Sequence, residues 1–402
     1  MTYPFHRTAE HVSLGHPDKF CDQVADSILD EVLRLTAPYG EESLKAARTA
    51  IECLAKDRLL VISGEVNLLD QVRAQLDVDK VARKVWEAVG YGDRSQLTVL
   101  DHVQKQSPDI AEGGDEDDDD AGAECGGPGA ASDETRPVDE GGAGDQGVMV
   151  GYATDETEEF MPREWVLART LCTTLKDLRE SGAIPWLRSD CKTQVTLSAG
   201  GEVEGVIIAA QHEDKLNGKK VTRREVCETL LEQVIRPVVG NPSRVVINGT
   251  GRFVIGGPIG DAGVVGRKIV VDAYGPRIPV GGGAYSGKDP TKVDRSAAYM
   301  CRYIAKTVVV NKLLDARECT VSLAYGIGSL QPQMITAITD SGKDAWPEVV
   351  RRFPALADLS PRAIIERLRL LHPSGWSYFQ AASYGHYGRT IFPWEQVPGL
   401  SH

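Results

Sequence analysis

No apolar run in the 402 residues approaches the ~20 needed to span a bilayer, so no membrane segment is expected. The opening Met1-Thr2-Tyr3-Pro4-Phe5-His6-Arg7 has no apolar h-region, which argues against a secretory signal. The eight cysteines include no C-x-x-C pair, the pattern of reduced thiols in a cytosolic protein rather than of a disulfide framework. No basic stripe is present either, and a nucleic-acid surface needs one. These absences predict a cytoplasmic globular protein whose partners are neither membranes nor nucleic acids.

Acids outnumber bases by 58 to 45, but the net −13 is a local property. Residues 111–140 hold twelve acids against one base, and the remainder is close to neutral. From 112 to 142 apolar periodicity vanishes, and Gly, Asp, Glu, Ala and Ser dominate. Such a stretch buries too little apolar area to offset its ordering entropy, so disorder is expected there. The length favours two or three core-bearing units. The expected division is an N-terminal unit 1–110, the acidic insertion 111–141, a central unit 142–254 and a C-terminal unit 255–402.

What the chain does have is the stretch Gly281-Gly282-Gly283-Ala284-Tyr285-Ser286-Gly287-Lys288-Asp289-Pro290-Thr291-Lys292-Val293-Asp294. Its glycines permit close backbone approach to a ligand. Lys288 and Lys292 bring cations, and Asp294 brings a hard oxygen of the kind Mg²⁺ prefers. Ala297, Cys301, Ala305 and Val308 recur at helical spacing, so a helix of about 295–312 follows, and its N-terminus favours an anion. Gly282, Gly287 and Lys288 match G-x-x-x-x-G-K, yet Asp289 replaces the Ser or Thr of a P-loop and two prolines precede it. The pattern is a magnesium-polyphosphate cradle that is not a P-loop.

Upstream, Gly15-His16-Pro17-Asp18-Lys19 opens a helix with Phe20, Val24, Ile28 and Val32 on one face. His16, Asp18 and Lys19 thereby fall at a helix mouth, where a phosphate donor, a metal ligand and a cation are useful, although the same residues equally suit a plain N-cap turn. Strands are predicted at 49–54 and 59–66, a helix at 72–89, and a hairpin at 189–197 and 205–210. Thr222 to Glu225 forms a capping box. A strand at 269–273, another at 319–325 and a helix at 361–371 complete the outline. Three runs of strands and helices, each with a glycine loop holding an acid (Asp18, Asp145, Asp261), suggest a triplicated α+β unit.

These motifs, with Lys105-Gln106-Ser107-Pro108-Asp109-Ile110, Gly142-Ala143-Gly144-Asp145-Gln146-Gly147 and Gly256-Gly257-Pro258-Ile259-Gly260-Asp261, resemble the S-adenosylmethionine synthetase family in identity and order. The resemblance covers nearly the whole chain apart from the acidic insertion. It implies three α+β repeats about a pseudo-threefold axis. It also implies transfer of adenosyl from ATP to the sulfur of L-methionine, with tripolyphosphate displaced and then hydrolysed.

Carried over by motif, His16, Lys192, Arg267, Lys268 and Lys288 are the implied catalytic residues. Asp190, Arg252, Phe253, Asp261 and Ala284 complete the ATP set. Glu65, Gln106, Asp145, Asp261 and Lys292 face methionine or ribose. Asp18 and Asp294 hold two Mg²⁺ ions per site, and Glu52 a K⁺ ion. The family also implies a homodimer with shared active sites, or a dimer of dimers. Two positions depart from the family: Leu14 stands where an acid is usual and His11 where a small serine is usual. Alternatives from other classes are a phosphotransferase using the same cradle and a non-catalytic regulatory paralogue.

Overall fold

A computed structural model describes residues 5–105 and 141–400. The candidate methionine contact Gln106 and the acidic stretch 111–140 lie outside the described residues.

Strands are counted β1 to β13 along the chain, and three sheets carry the fold. The first has the order β11-β2-β3-β4, with β2 Arg48–Lys56, β3 Leu59–Asn67, β4 Thr98–Lys105 and β11 Gly263–Val264. The second has the order β1-β6-β7-β10, with β1 Arg7–Val12, β6 Leu187–Leu197, β7 Val203–His212 and β10 Arg244–Ile247. In the third, β12 (Glu318–Tyr325) lies between β13 (Met334–Thr339) and β5 (Gly147–Thr154). β8 (Lys215–Leu216) and β9 (Lys219–Lys220) form a small separate hairpin.

Helices cover one face of each sheet, and each pairing makes its own core. α1 (Pro17–Thr36) and α2 (Val78–Ala88) lie on the first sheet, where Phe20, Val24, Ile28 and Val32 of the predicted apolar stripe pack against Ile51, Cys53 and Ile62. Full burial of such side chains is worth ~1.5–3 kcal/mol each. α3 (Arg163–Glu180) and α4 (Arg223–Leu230) cover the second sheet through Leu171, Leu175, Val195 and Ile208. α5 (Val293–Val310) covers the third through Met300, Ile304, Val308 and Val321.

The three units are interlocked by cyclic strand exchange. β1, from the first third of the chain, pairs antiparallel with β6 of the second sheet. β5, from the middle third, pairs with β12 of the third sheet. β11, from the last third, pairs with β2 of the first sheet. Each donated strand adjoins one of the glycine loops that hold Asp18, Asp145 or Asp261, so the exchange carries those loops to the seams between units.

Some local expectations are corrected. Residues 269–273 form no strand: Ile269–Asp272 is a short helical turn. Its β-branched residues suit a strand, but Asp272 is drawn inward by Lys19 Nζ at 2.6 and 2.8 Å, and this tertiary contact overrides propensity. The single helix expected at 72–89 is two, Asp70–Arg73 and α2, because Asp77 caps the second by accepting from Lys80 N at 2.9 Å. The helix expected at 295–312 begins two residues earlier, which places Asp294 in its first turn. The one expected at 361–371 stops at Arg367, and Arg369 turns the chain with a φ of 52°.

Candidate active site

Two carboxylate–lysine pairs are built on aspartates in the first turns of α1 and α5. His16 caps α1, its Nδ1 accepting from Asp18 N at 3.2 Å, and Pro17 takes the first helical position. The Asp18 side chain is fully buried. Its Oδ2 accepts from Lys268 Nζ at 2.5 Å, its Oδ1 accepts from Val264 N at 3.0 Å, and Arg267 Nε lies 3.1 Å from Oδ1. Burial alone would raise the Asp18 carboxyl, but Lys268 and the Val264 N–H outweigh it and hold the group below the usual carboxylate range. Burial, reinforced by Lys268, pushes the His16 ring down to about 3, so it is neutral near pH 7.

The second pair stands at the start of α5. Lys288 Nζ lies 2.5 Å from Asp294 Oδ2. Gly283 passes directly over this carboxylate: a Cβ there would fall 2.0–2.2 Å from its carbon and oxygens. Gly287 must be glycine for a second reason, because its φ is 85° and a Cβ would meet Ile51 O at 2.1 Å. The loop is laid along β2, with Ile51 N donating to Gly287 O at 3.0 Å and Asp289 N to Thr49 O at 3.1 Å. The two half-sites touch, since a Cβ on Gly266 would lie 2.7 Å from Ala284 Cβ.

Other candidates gather around these halves unevenly. Asp190 accepts from Gly257 N at 2.7 Å, and burial raises its carboxyl to about 6, with Lys192 opposing and Asp261 adding to the rise. Lys192 itself lies 3.6 Å from Glu10, both half-exposed. Asp261 is exposed and caps its own loop through Ala262 N. Asp145 is half-buried in a loop whose Gly144 N donates to Thr291 O at 3.2 Å, beside Asp294. Lys292 is engaged with Asp289 at 2.6 Å.

Arg252 and Phe253 are not joined to either half by a direct contact: Arg252 pairs with Asp214 at 3.1 Å, and Phe253 N donates to His212 Nε2 at 3.3 Å. A cavity of about 320 Å³, lined by Tyr91, Ser189, His212, Val254 and Gly256, lies between that segment and Asp190. Glu65 is half-buried on β3, registered between Ala50 and Gln104, and Glu52 is exposed on β2 opposite Ser63.

The expectation that Lys19 offers a free cation at the α1 mouth is overturned. Lys19 is 2% exposed and paired with Asp22 and Asp272. Leu14 packs against the first core, and its carbonyl accepts from Gln23 Nε2 at 2.8 Å. His11 is buried between the rings of Trp165 and Tyr384. Burial and nearby arginine and lysine charges push it down to about 3, so it is a neutral core ring. The residues that sequence reasoning passed over are Asp22, Asp26 and Arg295, all buried directly behind the two pairs.

The donor set suits magnesium held jointly with a ligand. Among the described residues no cluster of three or more metal-binding side chains exists. One aspartate on each half offers hard oxygen, and Mg²⁺ commonly binds one or two carboxylates plus substrate phosphates and water. Glu52 gives a single carboxylate under the influence of Lys288, enough for a weakly held monovalent ion only if other oxygens join it.

Comparison with known proteins agrees with this geometry. The S-adenosylmethionine synthetase N-terminal, central and C-terminal domain families match residues 4–108, 140–253 and 255–396 in turn. The S-adenosylmethionine synthase of Deinococcus deserti is 42% identical over 415 residues, covering 97% of this chain and 96% of that protein. Those of Petrotoga mobilis and Sorangium cellulosum are each 41% identical over 97% of this chain, covering 96% and 87% of their own lengths. With three successive domains and near full-length relatives matched, the chain belongs to the S-adenosylmethionine synthetase family.

Proposed function

We propose that the Asp18–Lys268 and Lys288–Asp294 pairs together receive the triphosphate of ATP. The enzyme transfers the adenosyl group of ATP to the sulfur of L-methionine, displacing tripolyphosphate that is hydrolysed to pyrophosphate and phosphate. The observation that carries the assignment is that two buried-end carboxylates, each on the first turn of a helix and each paired with a lysine, meet through Gly266 and Ala284.

A thioether is already a nucleophile, so the chain need supply no general base. Its task is alignment of sulfur, C5′ and leaving oxygen, where effective molarities are large. Lys268, Arg267, Lys192 and Lys288 would meet the charge that develops on the leaving chain, and cations held in place before reaction need no reorganisation. Neutral His16 would donate a hydrogen bond near the breaking C5′–O bond. The family uses Mg²⁺ and K⁺. Asp18 and Asp294 would hold two Mg²⁺ ions, which supply charge neutralisation of the polyphosphate, and Glu52 would contribute to K⁺ binding. Asp190, Asp261, Ala284, Arg252 and Phe253 would frame the nucleotide, and Glu65, Gln106, Asp145 and Lys292 methionine and ribose.

Arg252 and Phe253 stand apart from the two pairs, which favours a site completed by a second copy. The uncovered faces of the sheets carry exposed Leu54, Leu59 and Leu100 on the first, Ile207 on the second, and Val148, Met334 and Ile338 on the third. Leu54, Val61 and Leu100 lie in one row across three strands. Apolar patches of this kind mark interfaces, and the reading is a homodimer formed face to face, or a dimer of such dimers. The chain division 1–110, 142–254 and 255–402 finds support in three cores centred in turn on α1, α3 and α5, with strands exchanged between neighbouring units. A cytoplasmic location is supported by the seven described cysteines, all free, and by the lack of any described helix able to cross a membrane.

Product identification tests the reading. ATP, methionine, Mg²⁺ and K⁺ should give S-adenosylmethionine with pyrophosphate and phosphate. Formation of ADP would instead assign a phosphotransferase.

A further inference from the structure

α1 carries four aspartates at a spacing of four: Asp18, Asp22, Asp26 and Asp30. That spacing places them on one helix face, over a length of ~18 Å. A row of acids on a helix is ordinarily a solvated face, but Asp18, Asp22 and Asp26 are each no more than 1% exposed. Every one of the four accepts from the backbone of a distant segment. Asp18 takes Val264 N at 3.0 Å, and Asp22 takes Gly266 N at 2.8 Å. Asp26 takes Gly287 N at 2.9 Å together with Ser286 Oγ at 3.1 Å. Asp30 takes Tyr378 N and Phe379 N, both at 2.9 Å. The first two thus anchor the loop bearing Arg267 and Lys268, and the third anchors the loop bearing Lys288.

Asp26 has a cationic partner placed to extend this control. Arg295 is fully buried, and its Nη2 lies 2.7 Å from both Asp26 oxygens. Its Nη1 donates to the Lys288 carbonyl at 3.1 Å. The peptide before Gly287 and the peptide after Lys288 are therefore both held by one ion pair, which brackets the Gly287–Lys288 segment. Arg295 also follows Asp294 in the first turn of α5, while Asp26 lies two turns along α1 from Asp18. The pair thus joins the two helices whose first turns bear the two candidate metal carboxylates.

We propose that the Asp26–Arg295 pair is a positioning device that sets the separation of the Asp18–Lys268 and Lys288–Asp294 half-sites for the triphosphate. This rests on the roles proposed above for those four residues. Neither Asp26 nor Arg295 touches substrate in this account; both act through Lys288 and α5. A misplacement of about 1 Å in such a site can cost ~10²-fold in rate.

The test is the dissociation constant of tripolyphosphate in the presence of Mg²⁺, measured by calorimetry on the full chain well below Tm, alongside kcat and the methionine KM. Asp26→Leu combined with Arg295→Met replaces a buried ion pair by apolar groups, an exchange that folds often tolerate. It should weaken tripolyphosphate binding about tenfold or more and lower kcat, with the methionine KM little changed. Arg295→Lys keeps the charge on Asp26 but cannot also hold the Lys288 carbonyl, and it should weaken binding in the same direction; it decides the matter if the double variant does not fold. Lys306→Met removes another buried cation of α5, one paired with Glu395 at 2.8 Å, and should leave tripolyphosphate affinity unchanged. Folded Asp26 and Arg295 variants that bind tripolyphosphate as the parent does overturn the proposal. Lys288→Met separates the two levels: if it too leaves affinity unchanged, the phosphate site itself has been misassigned.

Discussion

Lys288 folds back over the start of α5 and places Nζ 2.5 Å from Asp294 Oδ2, beneath the bare backbone of Gly283. Each group neutralises the other. A polyphosphate with its magnesium ions would divide the pair, the lysine turning to phosphate and the carboxylate to metal.

That exchange makes Asp294→Asn informative. The amide keeps the shape and removes the charge, so turnover should fall by ~10²-fold, with partial recovery as Mg²⁺ is raised. A magnesium titration of kcat checks this. An unchanged rate with unchanged magnesium dependence would take Asp294 out of the metal site.

Gly283→Ala should injure function more than folding. The added carbon would meet the Asp294 carboxylate at 2.0–2.2 Å, and the backbone at 283 does not require a positive φ. Gly287→Ala is the contrast, because its φ of 85° and the Ile51 carbonyl at 2.1 Å load the cost onto the fold, roughly 1–3 kcal/mol. Paired Tm and kcat measurements should show Gly283→Ala with a near-parent Tm and low activity, and Gly287→Ala with both reduced.

The apolar stripe Phe20, Val24, Ile28 and Val32 was legible because periodicity reports burial directly, and all four are buried. The glycine loop before α5 was legible because few structures need that density of glycine and lysine. The acid stripe Asp18, Asp22, Asp26 and Asp30 has the same four-residue spacing, yet it reads from sequence as a wet surface. Its partners, Gly266, Gly287 and Arg295, lie more than 240 residues away, and no local pattern announces them. Strand exchange was hidden for the same reason: β1, β5 and β11 each pair with strands from another third of the chain. The mistaken strand at 269–273 shows the converse, a local preference overruled by Lys19 reaching Asp272.

His11 predicts a pH effect on stability. Burial depresses its folded pKa to about 3 from 6.5. The unfolded chain therefore takes up the proton first as pH falls. The contribution is fully present above pH 6.5 and is lost on acidification towards 3, at up to ~1.4 kcal/mol per pH unit. His11→Phe keeps a ring against Trp165 and Tyr384 while removing the titration. Between about pH 7.5 and about pH 5, the parent's Tm should drop more than the variant's; equal drops would mean that His11 does not titrate as described.

The most direct test of the two-pair site is a rapid-quench single turnover of Lys288→Met beside the parent, following S-adenosylmethionine formed from ATP and methionine. Lys288 lies in a polar loop, so its loss opens no core cavity and the fold should stand. Loss of one preplaced cation facing the departing triphosphate typically costs ~2.7–4 kcal/mol, so the transfer step should slow by roughly 10²–10³ while methionine binding stays near the parent's. A transfer rate within about threefold of the parent's would fall well short of that range and contradict the account.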